Sequence, residues 1–151
     1  MTMNAPTTSS GEARLQAFLE RLPEGSRLPA RTVAHAWAHG GGRLRTGRVA
    51  VRLTGGEALA FTAATIHAPS RQERPYLEVC RVILQNHGVA PAGFRHWADE
   101  LADLQELGFD PQAKFPTVPL DDALDPPRLA RLAGAVRDLA AMLARERPVE
   151  P

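Results

Sequence analysis

The sequence predicts an α+β fold: a mostly helical single domain of about five helices with one antiparallel β-hairpin, in the order α-α-β-β-α-α-α. Three observations predict it. Apolar residues recur at spacings of three and four over several stretches that open on capping residues or proline and close on proline or glycine. One region instead alternates apolar and polar residues on both sides of a glycine pair, as a hairpin does. The chain has 151 residues, 44% hydrophobic and 23% charged, which suits one domain with a core and leaves little for a second. The domain is placed at residues 9–147, between tails at 1–8 and 148–151 expected to be disordered.

The first helix is capped by Ser9 or Ser10 and runs to Leu22, with Leu15, Phe18, Leu19 and Leu22 on one face before Pro23 stops it. A second starts at Pro29, a residue suited to a first helical turn, and reaches His39 with Val33, Ala34 and Trp37 inward. Gly40, Gly41 and Gly42 end it as a joint or tight turn. Val49, Val51 and Leu53 then alternate with Arg48, Arg52 and Thr54; past Gly55 and Gly56, Leu59, Phe61 and Ala63 alternate towards Ile66.

Tyr76, Val79, Cys80, Ile83 and Leu84 fall at helical spacing between a capping box at Ser70 and Glu73 and a stop at Asn86-His87-Gly88, although VCRVIL also suits a strand. A helix from Pro91 to Gly108 carries Phe94, Trp97, Leu101 and Leu104. Residues 109–124 make an extended crossing. Asp125 caps the last helix, whose first turn holds Pro126 and Pro127 and whose seam is Leu129, Leu132, Val136, Leu139 and Leu143. The two seams are expected to pair as an antiparallel helical hairpin, and the last helix also allows a homodimer.

Most catalytic chemistry lacks its signature. No run of 18 apolar residues offers a membrane span, and the polar start MTMNAPTTSSGE has no secretory apolar stretch, so a cytoplasmic location is expected. A single cysteine, Cys80, makes neither an internal disulfide nor a multi-cysteine metal site. His35 and His39 have the spacing of two zinc ligands, but Ala36, Trp37 and Ala38 between them omit the glutamate of HExxH. A third ligand would have to come from His67, His87, His96 or Cys80, and no metal or cofactor is expected. Those three histidines are also the candidate bases for a Cys80 nucleophile, against which stands the position of Cys80 on an apolar face. Asp99-Glu100 and Asp121-Asp122 read as a solvated helix and a turn. The glycine runs match no phosphate-cradling motif, and Trp37 and Trp97 read as core anchors.

Charge is the informative feature. Residues 1–56 carry eight Arg against three Glu, whereas residues 99–151 carry eleven acids against six bases. Between Glu24 and Glu57 no acid occurs, while six Arg and two His do. Arg27, Arg31, His35 and His39 step by fours along the second helix and its lead-in; Arg43, Arg45, Arg48 and Arg52 continue through the glycine joint into the hairpin. A helix followed by an Arg-rich ribbon can meet a phosphate backbone, with base edges read from the helix. The first expectation is therefore a non-enzymatic nucleic-acid-associated or regulatory module. The second is a protein-interaction module (an inhibitor, immunity or adaptor protein) that uses the acidic C-terminal half or the leucine seams.

Overall fold

The computed structural model describes residues 6–55, 61–68, 74–86, 89 and 91–145. The tail at 148–151, the Ser70/Glu73 capping box, Gly56, Leu59 and His87 lie outside the described residues. The element order is α1 (Pro6–Glu20), α2 (Glu24–His39), β1 (Arg43–Thr46), β2 (Ala50–Thr54), β3 (Thr62–His67), β4 (Tyr76–Val79), α3 (Arg81–Asn86), α4 (Pro91–Asp99), a 3-10 helix (Ala102–Leu107), β5 (Thr117–Pro119) and α5 (Pro126–Arg145). The α+β class stands, but the single hairpin does not: the strands form a five-stranded antiparallel meander, β1-β2-β3-β4-β5.

The expected hairpin is its β2–β3 pair. What the sequence reading lacked is β1, β4 and β5. β1 reads RLRT, with one apolar residue, so alternation gives no signal there. β4 reads YLEV and runs into α3 almost without a break, so its apolar residues merge with the next helix into a false helical spacing. The distinguishing mark is Leu77 and Val79, both buried two apart. β5 is three residues long and ends on Pro119, which an edge strand tolerates because one side of it needs no ladder bond.

Register sets the two faces of the sheet. One carries the rows Leu44–Leu53–Ala64–Val79 and Thr46–Val51–Ile66–Leu77–Val118, nearly all buried. The other carries Arg45–Arg52–Thr65–Glu78–Thr117 and Ala50–His67–Tyr76–Pro119. The apolar face is covered from the helix side, with α2 against β1 and β2, α5 against α2, and the 3-10 helix against β5.

The helices differ from expectation in their ends and partners. α2 begins five residues before Pro29, which sits buried inside it. Proline removes only one ladder donor there, and its ring is used as core. The expected helix at 91–108 breaks at Asp99 and resumes as the 3-10 turn, which stops at Gly108 in the left-handed region (φ 98°). Asp125 caps α5 as expected: its carboxylate accepts from the Arg128 N–H at 3.0 Å. The α5 seam is buried within the chain, but its main partner is α2 rather than α4. Trp97 supplies the α4–α5 link, donating from Nε1 to the Ala135 carbonyl at 2.7 Å. Seam residues Leu132, Val136, Leu139 and Leu143 are at most 2% exposed, so that face is not free to hold a second copy.

The three glycines between α2 and β1 form a tight turn, each in its own way. A Cβ on Gly40 would lie 2.4 Å from the Arg137 carbonyl oxygen and 2.8 Å from the Ala140 Cβ, so Gly40 is where α2 touches α5. Gly41 has φ +102°, and a Cβ on Gly42 would strike the Trp37 ring at 2.1 Å. That ring is fixed by its own bond, Nε1 to the Thr54 carbonyl at 2.8 Å. The turn therefore locks β1 and β2 beneath α2.

Candidate nucleic-acid interface

The eight basic residues singled out by sequence do not form one surface. The buried stripe of α2 is Ser26, Pro29, Ala30, Val33, Ala34 and Trp37. At 100° per residue Arg31 and His35 fall on the reverse side, away from the sheet. Arg45 and Arg52 lie on the sheet face opposite Val51 and Leu53, the face turned away from α2. Arg31 and His35 thus lie off the stripe that α2 buries, and not on the sheet face that carries Arg45 and Arg52. Arg27 is also committed: its guanidinium donates to the Leu22 carbonyl at 3.2 Å and the Glu20 carbonyl at 3.1 Å, closing the C-terminal end of α1. Among the described residues no group of three or more His, Cys, Asp or Glu comes together around His35 and His39.

On the sheet the arrangement is tighter than the sequence implied. The β1–β2 connection is a two-residue turn, Arg48-Val49, closed by the Gly47 N–H donating to the Ala50 carbonyl at 2.8 Å. Arg48 is therefore in the turn and not on the strand face of Arg52. Counting from that closing pair, Arg45 and Arg52 are a hydrogen-bonded antiparallel pair, with Cα atoms about 5.5 Å apart and both side chains exposed on one face. Like charges directly opposite one another destabilise a sheet, by up to about 1 kcal/mol. Among the described residues neither guanidinium has a carboxylate partner.

Several arginines elsewhere are engaged. Arg74 forms a two-pronged contact with Asp121, at 2.6 and 3.0 Å. Arg81 donates to the carbonyls of Ala113 and Gln112 at 2.8 and 3.1 Å. Arg128 pairs with Glu106, and Arg131 with Asp103. Arg45 and Arg52 stand apart from these four, as do the exposed Arg95 and Arg137 on α4 and α5.

The same face ends at its acidic side. His67 stacks on Tyr76 with ring centroids 4.8 Å apart and meets the Glu78 carboxylate at 3.2 Å. Thr65, between Arg52 and Glu78 in the row, is 7% exposed. The positive area is thus the β1–β2 end. It continues around the edge of β1 into a groove of about 1000 Å³ lined by Arg14, Arg43, Arg45 and Leu44, with Glu12 on its α1 wall. Arg14 was missed by the sequence reading, since only the packing of α1 beside β1 brings it to Arg43 and Arg45.

Cys80 joins β4 to α3 and is 5% exposed. Burial, helped by the negative charge of Glu78, pushes its thiol up to about 11. At neutral pH it stays protonated, in keeping with a core residue and not with a nucleophile.

Comparison with known proteins finds no family model, no curated protein and no solved structure that matches the chain. Among the described residues no helix is long and apolar enough to cross a membrane.

Proposed function

We propose that this protein is a cytoplasmic, non-enzymatic nucleic-acid-associated module that binds the phosphate backbone through the outer face and edge of its sheet. The observation that carries the reading is the exposed Arg45–Arg52 pair, two cations directly opposite one another on adjacent strands with no carboxylate partner among the described residues. A phosphate seated between them offsets their repulsion and can take two-pronged hydrogen bonds from each planar guanidinium. Arg43 and Arg14 extend the positive strip along the groove, and Arg48 extends it to the turn. Binding releases the counterions condensed on the nucleic acid, so affinity falls steeply with salt. Arg31 and His35, off the buried stripe of α2, are outside this footprint; His39 ends α2 beside Ala38, which lines the groove with Arg43 and Arg45, and Arg27 serves the fold. Binding of this kind is sequence-independent, since contacts to phosphate carry no base information.

Titration of the protein against duplex DNA, single-stranded DNA and RNA at about 50 mM and about 200 mM salt tests the reading, because nonspecific phosphate contacts are strongest at the lower value. Binding that weakens by an order of magnitude or more between the two supports it. No measurable affinity for any of the three at the lower salt refutes it.

A further inference from the structure

We infer that two copies of this chain associate about a two-fold axis, the β1–β2 turn of each seated in an acidic groove of the other. The groove, of about 1020 Å³, lies between the N-terminal ends of α2 and α5. Leu28, Leu124 and Leu129 are among its apolar lining residues and Glu24, Asp121, Asp122 and Asp125 are its acidic ones, of which Asp121 pairs with Arg74 and Asp125 with Arg128. No Arg or Lys is among its described lining residues. Leu28 is 59% exposed, although it stands on a helix whose other large apolar residues are buried. The β1–β2 turn has the complementary character. Val49 at its tip is 61% exposed and follows Arg48, whose carbonyl accepts from the Arg21 guanidinium at 2.7 Å, so two cations flank one apolar side chain. Among the described residues only three large apolar side chains are exposed, Leu28, Val49 and Phe115. Single exposed apolar residues are ordinary on a protein surface. Here two of the three stand in surroundings of opposite charge, which makes their contact favourable in both its apolar and its ionic part.

Position makes the contact reciprocal. Gly25 approaches Asp122 and Gly40 approaches Arg137 and Ala140, so α2 and α5 run parallel and their N-terminal ends lie together. β1 returns from the glycine turn antiparallel to α2, which carries Arg48 and Val49 back to that same end. A patch and its complement on one end of the molecule satisfy each other twice about a two-fold axis, which closes the assembly at a dimer. This surface is separate from the α5 seam and needs no nucleic acid, and it shares Arg48 with the proposed phosphate strip, so the two compete for that residue.

Sedimentation of the full chain without nucleic acid, at several concentrations and two salt levels, is the test, with Val49→Asp and Leu28→Arg as variants. Both positions are exposed, so thermal unfolding followed by circular dichroism should match the native chain; Val49→Ser and Leu28→Ser replace any variant that unfolds. The native chain is expected to dimerise, more weakly at high salt. Each variant alone should weaken dimerisation by at least about tenfold. An equimolar mixture of Val49→Asp with Leu28→Arg should recover part of it, because one of the two contacts is then native while the other sets the new acid against the new base. A native chain that stays monomeric at about 1 mM and low salt, variants that dimerise as well as the native chain, or a mixture that fails to recover each overturn the proposal.

Discussion

Gly40→Ala and Gly134→Ala are one chemical change in two places, and the structure predicts opposite signs for them. Gly40 has φ −79° and ψ −3°, which alanine adopts without strain, so backbone conformation does not oppose the substitution. Space does. The new methyl would lie 2.4 Å from the Arg137 carbonyl oxygen, against an ordinary carbon contact of about 3.5 Å, and that oxygen belongs to the α5 backbone and cannot swing away. α5 must retreat from α2 by roughly 1 Å at the contact, and overpacking of this kind costs about 1–3 kcal/mol. Gly134 sits inside α5 with nothing within 4 Å of an added Cβ. There alanine gains only helix propensity, about 0.5–1 kcal/mol. Urea unfolding of both variants and the native chain reads the difference as a shift in midpoint at constant slope. A Gly40→Ala chain as stable as the native one would refute the close crossing of α2 and α5. A destabilised Gly134→Ala chain would refute the open space around α5.

Three further outcomes follow from the same packing. Leu139→Asp places a charge in the α5 seam, where Leu139 is 2% exposed, and should unfold the chain; a folded protein by circular dichroism would show that the seam is not intramolecular core. Cys80, with its thiol pushed up to about 11, should react with a thiol reagent at neutral pH only as fast as the protein opens, and rapid native labelling would contradict its burial. The hydrogen bond to the Arg74 guanidinium holds the Asp121 carboxyl below its ordinary value, so its stabilisation is present above the unfolded-state value and is lost as pH falls through the folded one. Because Arg74 is mostly solvated, Asp121→Asn should cost no more than about 1 kcal/mol at pH 7, and the difference should shrink at acid pH; a cost that grows on acidification would reverse the sign.

The apolar stripes of α1, α2, α4 and α5 were legible because each helix buries one side, and Leu15, Phe18, Leu19, Trp37, Trp97 and Leu139 are all in the core. β2 was legible at period two, with Val51 and Leu53 buried around exposed Arg52, whereas β3 buries Ala63 to Ile66 in succession and pairs Ala64 and Ile66, not the row of Phe61 and Ala63, with Leu53 and Val51. β1 was hidden because its inward positions, Leu44 and Thr46, are only half buried beside α1, and selection for apolar residues there is weak. β5 owes its place to Leu77 across from Val118, a partnership made through 40 intervening residues that no local pattern records. The site shows the same limit. Charge asymmetry was visible, and Arg43, Arg45 and Arg52 were named from it. Which side of the molecule each arginine faces depends on how α2 crosses the sheet, so the separation of Arg31 and His35 from Arg45 and Arg52 was not visible. Arg27 looked like a ligand contact because the pattern cannot show that the last carbonyls of α1 lie within its reach.

On the proposed reading, Arg45 and Arg52 are phosphate ligands rather than solvated charges. Its most direct test is the slope of log affinity against log salt for duplex DNA, measured on the native chain and on the Arg45→Gln/Arg52→Gln double variant. Both residues are exposed on the sheet, and removing their mutual repulsion should leave the fold intact or slightly firmer. Loss of the one phosphate seated between them should reduce the slope by about 0.9. A double variant that binds with the native slope and affinity would contradict the assignment of this sheet face as the nucleic-acid interface.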